Sequence, residues 1–443
     1  MSTDALTGLL SRPVTRRRLG ALGAGLGAAS VLGTAGCGAS SPGPGADTAR
    51  GPISIWYSNN TQEVTWGEQL VAAWNTAHPS EKVTAEQIPS GKSSEEVVSA
   101  SITAGNAPGL ILNISPASVA GFVRQGGVVP LSRFPGADAY ITARTGARAE
   151  QYRSGDGQFH QLPWKSNPVM VFYNRALFKK AGLDPDHPRL ATYPDFLATA
   201  RTLVAKKVAP TAIWPSPNSE WYSAEGDFYP LYAAATGGTP LVVKGRTTYD
   251  DANGRAVADF YRTLYAEGLS SQETTALDVF ATGQAAMAIV GSWAIASYKG
   301  VVDWGAVPVP SPTPTPASRL WTYSDAKNIS LMTACPHRAT GWDFMKFATS
   351  TAQDGLLLST TGQMPLRQHL AATYAPYFAK NKDYALFSDQ AARTSDVPNV
   401  DNGIQVWQTF RDAWSRSVIF GRGSVADALA SSAHRIDDLV TKA

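Results

Sequence analysis

From residue 50 onward, apolar and polar positions alternate in short runs and recur at helical spacing in longer ones. Ile53-Ser54-Ile55-Trp56-Tyr57 has the period-two pattern of a strand and ends in the polar run Ser58-Asn59-Asn60. Leu70, Val71 and Trp74 then fall at three-to-four spacing, which predicts a helix that His78-Pro79 brings to a stop. Val83-Thr84-Ala85-Glu86 predicts a second strand and residues 95–103 a second helix. Ala107-Pro108-Gly109 is a turn, leading into the short buried strand Leu110-Ile111-Leu112. Strands alternating with helices predict an α/β fold with a largely parallel sheet. Ligands of such sheets sit beyond the carboxyl ends of the strands. That rule makes Asn59, Asn60, Gln62, Asn113 and Ser115 candidates for ligand contact, with helix capping the competing role for an asparagine.

Further along, residues 155–164 read as a turn and a crossing segment, 169–174 as a strand and 177–183 as a helix. The run Ala286 to Val290 predicts a buried strand that opens into Gly291-Ser292-Trp293. The Pro-rich stretch 308–316 excludes regular structure and predicts a loop or crossover. Residues 342–347 read as helix and 361–367 as a loop, and no internal repeat is found.

The first 36 residues have a different character. Thr15-Arg16-Arg17-Arg18-Leu19 is a twin-arginine pattern, and the apolar stretch 19–36 is built mainly of Gly, Ala and Leu. Such a weakly hydrophobic stretch, at the lower limit for a membrane span, predicts a cleaved export signal. Thr34-Ala35-Gly36-Cys37 resembles a bacterial lipobox, with Thr34 where Leu is usual. That resemblance implies lipid on Cys37 and an extracytoplasmic, membrane-anchored protein. Residues 37–50, rich in Ser, Pro, Gly and Ala, then form a flexible tether.

Removing residues 1–36 leaves 34 basic and 34 acidic side chains, because that segment holds four Arg and one Asp. A neutral body argues against nucleic acid, whose affinity rests on phosphate neutralisation. A mature chain of about 400 residues exceeds one ordinary core and predicts two domains. With Cys37 lipidated, Cys335 has no disulfide partner and reads as a small buried hydrophobe. The six histidines (His78, His160, His187, His337, His369, His434) show no pair at metal-ligand spacing. Gly91-Lys92-Ser93 lacks the earlier glycine of a phosphate loop, since residue 86 is Glu86. No cofactor and no metal are expected.

Taken in order, these blocks resemble the family 1 extracellular solute-binding proteins of ABC importers, of an actinobacterial kind. The resemblance rests on His78-Pro79 before a strand, residues 105–109, Phe172-Tyr173-Asn174, Lys180-Ala181-Gly182-Leu183, residues 283–293 and 361–367. It departs at Gly109, where Asp is common, and at Tyr193-Pro194-Asp195, where Thr-Trp-Asp/Glu is commoner. It implies a two-lobed, hinged binding protein, monomeric, with a permease as partner and the ligand between the lobes. By that analogy lobe one is 51–163 plus 309–350, and lobe two is 164–308 plus 351–443. The ligand implied is a carbohydrate, a mono- or oligosaccharide or an amino sugar, with glycerophosphodiesters and other polar solutes as a minority alternative.

A sugar presents hydroxyls and flat C–H faces, so its receptor needs aromatic platforms beside planar polar groups. Trp293, with Gly291 and Ser292, is the leading platform; a core tryptophan is the alternative. Trp164 and Asn167 flank the first crossing and Trp221-Tyr222 sits in a polar aromatic segment. Tyr323, Ser324, Asp325 and Asn328 follow the Pro-rich loop, and Arg367, Asp401 and Asn402 complete the candidates. Acidic pairs leave a glycoside-acting enzyme open as a rival, because carboxyl separation is invisible in sequence. A structural or adhesive lipoprotein is the other.

Overall fold

Asn60 starts the first helix. Its side-chain oxygen accepts from the N–H groups of Gln62 and Glu63, and helix Thr61–Ala77 follows. The helix buries Trp66, Leu70 and Trp74 and ends at His78, whose ring stacks on Trp74 at 3.9 Å. The strand before it, β1 (Ile53–Tyr57), buries alternate residues Ile53, Ile55 and Tyr57. β2 (Val83–Gln87), helix Ser94–Ala104 and β3 (Leu110–Ile114) continue the alternation. β4 (Leu162–Ser166) is buried throughout, and only residues 167–169 separate it from β5 (Met170–Asn174). Then come β6 (Thr211–Trp214), the small hairpin β7 (Val242–Val243) and β8 (Arg246–Thr247), β9 (Ala285–Val290) and β10 (Trp304–Val307). β11 (Thr322–Tyr323), β12 (Lys327–Leu331), β13 (Met364–Pro365) and β14 (Thr394–Ser395) complete the strands.

In this computed structural model residues 43–58, 60–91, 93–214, 220–275 and 277–441 are described. The expected signal, residues 37–42 of the tether with Cys37, and Asn59 lie outside them.

Two sheets organise the described chain. One runs β13-β4-β12-β3-β1-β2, the other β10-β5-β9-β6. Each anchors a core of its own. Ile55, Leu70, Trp74, Leu112 and Phe344 belong to the first, and Phe196, Phe228, Tyr261, Trp407 and Phe410 to the second. The fold is the expected two-lobed α/β class.

The sheets are mixed rather than largely parallel. β1 pairs in parallel with β2 and β3, but β12 runs antiparallel to both β3 and β4, and β5 antiparallel to β9 and β10. β12 reaches the six-stranded sheet from the other lobe, so it enters against the strands already there. The division of the chain also shifts. β4 extends the first sheet to Ser166, helix Thr351–Thr361 packs on helix Thr61–Ala77, and Met364–Pro365 pairs with β4. Part of the expected loop 361–367 is therefore an edge strand of the first sheet, and the final crossing comes after it rather than at 350.

The crossings lie side by side. The N–H of Asn167 donates to Ser324 O at 2.6 Å and that of Val169 to Tyr323 O at 3.1 Å. Thr322 Oγ1 donates to Val169 O at 2.7 Å, and the Ser166 and Ser324 hydroxyls are 2.8 Å apart. The Ser324 N–H in turn donates to Ser395 O at 2.8 Å. Three chain segments are thus hydrogen-bonded into one hinge.

A buried charge network holds the lower part of the first lobe. Arg144 donates to the carbonyls of Pro163, Trp164, Thr349 and Leu366 and to both oxygens of Asp354, at 2.6–3.2 Å. Arg367 donates to the same Asp354 at 2.9 Å. Removing one partner of such a buried pair strands the other charge, at a cost of about 3–5 kcal/mol. Arg144→Met should therefore lower unfolding stability by about that amount in urea titration. A loss below about 1 kcal/mol would show that the network is not structural. Cys335 is fully buried and burial pushes its thiol up to about 11. In a Cys37→Ser variant, thiol reagents at pH 8 should label nothing until denaturant unfolds the chain; rapid labelling of the native protein would contradict this burial.

Candidate functional site

The carboxyl ends of β2 and β3 lead towards a cavity between the lobes. β3 ends at Ile114, and Ser115 precedes helix Pro116–Arg124. Pro116 supplies no N–H to cap, and the Ser115 side chain makes no cap bond. Its Oγ is buried without any partner. Asn113 beside it adopts a left-handed conformation at φ 69°. After β2, Ser93 caps helix Ser94–Ala104 by accepting from the N–H of Glu96, and Glu95 in the first turn lines the cavity. A carboxylate there is favoured by the positive end of the helix dipole.

The second lobe supplies the aromatic side. Trp221 and Tyr222 precede helix Ser223–Thr236, with ring centroids 5.5 Å apart, and Glu225 follows in its first turn. β9 delivers Gly291 and Trp293 to the same cavity. Gly291 has no room for a side chain, since a Cβ would lie 2.9 Å from Asn167 O and 2.8 Å from Trp293 Nε1. Trp293 is 37 % and Tyr222 43 % exposed, which leaves both with open ring surface.

The hinge provides the floor. Tyr323, Asp325 and Lys327 line the cavity, while the intervening Ser324 and Ala326 are buried away from its lining. Asp325 is held at φ 43°, a left-handed position that Asp tolerates better than most residues. Its Oδ1 lies 3.1 Å from Lys327 Nζ. Burial pulls the Lys327 ammonium down, but Asp325, Glu95 and Glu225 together hold it above its usual value. Burial raises the Glu225 carboxyl well above the ordinary carboxylate range, against the opposing pull of Lys327. Glu225 Oε2 accepts from the Tyr323 hydroxyl at 3.0 Å, whereas Oε1 is buried with no partner.

The cavity measures about 460 Å³, within the range of small-molecule sites. Three side chains in it, Ser115, Trp221 and Glu225, are 1, 3 and 3 % exposed, and each holds a buried polar atom without a partner: Oγ, Nε1 and Oε1. Leaving such atoms unsatisfied is costly, of the order of 1–3 kcal/mol each, and a bound polar molecule would relieve it. Among the described residues no group of three His, Cys, Asp or Glu side chains could hold a metal.

Of the residues expected from sequence, the cavity gathers Asn113, Ser115, Trp221, Tyr222, Gly291, Trp293, Tyr323 and Asp325. Others have structural tasks. Asn60 caps a helix, and Gln62 sits in that helix's first turn outside the cavity lining. Trp164 is buried against Trp66 at 4.9 Å. Asn167 receives a hydrogen bond from Ser292 at 3.2 Å within the hinge. Arg367 is paired with Asp354, Asn328 donates to Gln161, and Asp401 and Asn402 engage Arg124. Glu95, Glu225 and Lys327 were not singled out by sequence. Glu95 was open to the carboxyl-end rule through its place after β2. Glu225 follows Trp221 and Tyr222 closely, but no pattern separates it from a surface acid.

Residues 57–355 match the family described as bacterial extracellular solute-binding protein. A curated relative, an uncharacterised ABC transporter extracellular-binding protein of Pyrococcus horikoshii, is 23 % identical over 254 residues, covering 54 % of each chain. The match therefore spans about half the length of that relative. The cyclic alpha-maltosyl-1,6-maltose binding protein of Arthrobacter globiformis superposes with TM-score 0.75 at 18 % identity, covering 89 % of this chain and all of that one. The GacH receptor of Streptomyces glaucescens, solved unliganded and with acarbose, gives TM-score 0.74 at 20 % identity, covering 88 % and 99 %. An ABC substrate-binding protein of Listeria monocytogenes in complex with cycloalternan gives 0.73 at 16 % identity, covering 88 % and 98 %. At these identities the likeness is one of fold. No helix among the described residues is long and apolar enough to cross a membrane. By the family match across most of its length, this chain belongs to the bacterial extracellular solute-binding proteins.

Proposed function

We propose that the protein captures a saccharide between its lobes and hands it to an ABC permease. The observation that carries this function is the set of unpartnered atoms in the cleft, Ser115 Oγ, Trp221 Nε1 and Glu225 Oε1, beside the open rings of Tyr222 and Trp293. An orphan N–H needs an acceptor and an orphan carboxylate oxygen needs a donor. A sugar hydroxyl is both, and a sugar's C–H face suits an exposed ring. The neighbouring folds described with a maltosyl-maltose, acarbose and cycloalternan support the same class. A glycerophosphodiester fits less well, because three carboxylates and a single lysine, already paired, line the cavity among the described residues.

The protein acts as a monomer. Twin-arginine export of the folded chain followed by lipid on Cys37 would keep it beside its permease. Mass measurement of the mature amino terminus tests the anchor, and an unmodified Cys37 would sink it.

A thermal-shift panel of mono-, di- and oligosaccharides should contain a ligand that raises the melting temperature, because binding to the folded state stabilises it. If a glycerophosphodiester shifts it and no saccharide does, the sugar class is wrong. Saccharides incubated with the protein should be recovered unchanged; released product would indicate a glycosidase instead. With the ligand so found, Trp293→Ala should weaken binding about tenfold, as loss of ring contact implies. Ser115→Ala should not lower urea stability, since its hydroxyl bonds no described residue, yet should weaken binding roughly three- to tenfold. Unchanged affinity in both variants would remove the cleft from the mechanism.

A further inference from the structure

The charges of the cleft do not balance. Among the described lining residues Glu95, Glu225 and Asp325 are acidic and Lys327 alone is basic. Lys327 is engaged by Asp325 at 3.1 Å. Lys165, which also lies close enough to act electrostatically on Asp325 and Lys327, is paired with Glu63 at 2.6 Å. The remaining two carboxylates come from different lobes, Glu95 from the helix after β2 and Glu225 from helix Ser223–Thr236. Glu95 is buried, and its side chain makes no hydrogen bond or ion pair with any described residue. Glu225 spends one oxygen on Tyr323, and its other, Oε1, is buried and empty.

A neutral hydroxyl could bond Oε1 but would bring no counter-charge to Glu95, whose side chain has no hydrogen-bond or ion-pair partner among the described residues. A simple polyamine would neutralise that charge but would offer no acceptor to the buried N–H of Trp221, which also stands empty. The ligand must therefore bring a cationic donor together with oxygen acceptors. Taking the cleft as a saccharide site, as proposed above, we infer that its ligand is a sugar bearing a protonated amine, received by the carboxylates of Glu225 and Glu95. The rings of Tyr222 and Trp293 border the same cavity and present faces that attract cations as well as C–H groups. Neutralising two carboxylates from opposite lobes would also favour closure of one lobe on the other. Burial that favours the protonated form of Glu225 in the empty protein is what an ammonium ligand would offset.

Calorimetry on the folded protein with matched probes tests this: the β-1,4-linked glucosamine disaccharide, its di-N-acetyl form, a neutral glucose disaccharide and spermidine. The amine form should bind at least about tenfold more tightly than its N-acetylated counterpart, the margin expected for a hydrogen bond to a charged group. Glu225→Gln and Glu95→Gln should each erase most of that margin, the amine form losing more affinity than the N-acetyl form in both variants. Rising salt should weaken only the amine form. If the neutral or N-acetylated sugar binds as tightly as the amine, or if both variants keep the margin, the inference fails and the receptor function stands. If spermidine outcompetes the amino sugar, the saccharide part of the inference is overturned. If none of these sugars binds and a wider saccharide panel is also silent, it is the receptor function itself that fails.

Discussion

Everything in this molecule that concerns ligand depends on backbone hydrogen bonds between segments that pass from one lobe to the other. Asn167 and Val169 donate to Ser324 and Tyr323, and Ser324 donates to Ser395. These bonds satisfy backbone groups that would otherwise be lost in a buried crossing. They also fix the register of three strands of chain that belong to neither sheet alone. With that register fixed, Tyr323, Asp325 and Lys327 arrive at the cavity and Gly291 passes close to Asn167 O. The lobes themselves are self-sufficient, with an aromatic-rich core in each. The hinge is where the two become one receptor.

The electrostatics of the cleft follow from this arrangement. A buried lysine normally sheds its proton, and a buried carboxylate normally keeps one. Lys327 escapes that tendency because Asp325, Glu95 and Glu225 surround it, and Glu225 does not because its burial outweighs the pull of Lys327. The surplus is local. Residues 37–443 hold 34 basic and 34 acidic side chains, so net charge gives no warning of it.

Much of the fold was legible in the sequence. The period-two run at Ile53 to Tyr57, the helical spacing of Leu70 and Trp74 and the stop at His78-Pro79 all correspond to observed elements. What the pattern could not provide was strand direction. β12 and β13 are short and buried, and whether they enter a sheet parallel or antiparallel is decided by where the chain has just come from. That is also why the expected end of the first lobe's second segment at 350 fell short of Met364–Pro365. The site was legible where a rule of chain geometry applied, as for Asn113 and Ser115 at the end of β3 or Trp293 after β9. It was illegible where a polar residue could be either capping or contacting. Asn60 and Asn113 are the same residue type at the carboxyl ends of neighbouring parallel strands, yet one caps a helix and the other lines the cavity. Burial of Glu225, which gives it meaning, comes from packing across the whole second lobe and leaves no local trace.

The alternation along residues 323 to 327 has one more consequence. Tyr323, Asp325 and Lys327 line the cavity, while Ser324 among them bonds Ser166 and Ser395 across the crossings. In the proposed function, recognition and articulation therefore share one short stretch of chain. A lineage can retune its preference cheaply at Trp221, Tyr222 or Trp293, which stand apart from the crossings. At Asp325 or Lys327, a change in what is captured is also a change in how the receptor moves, and selection must accept both together.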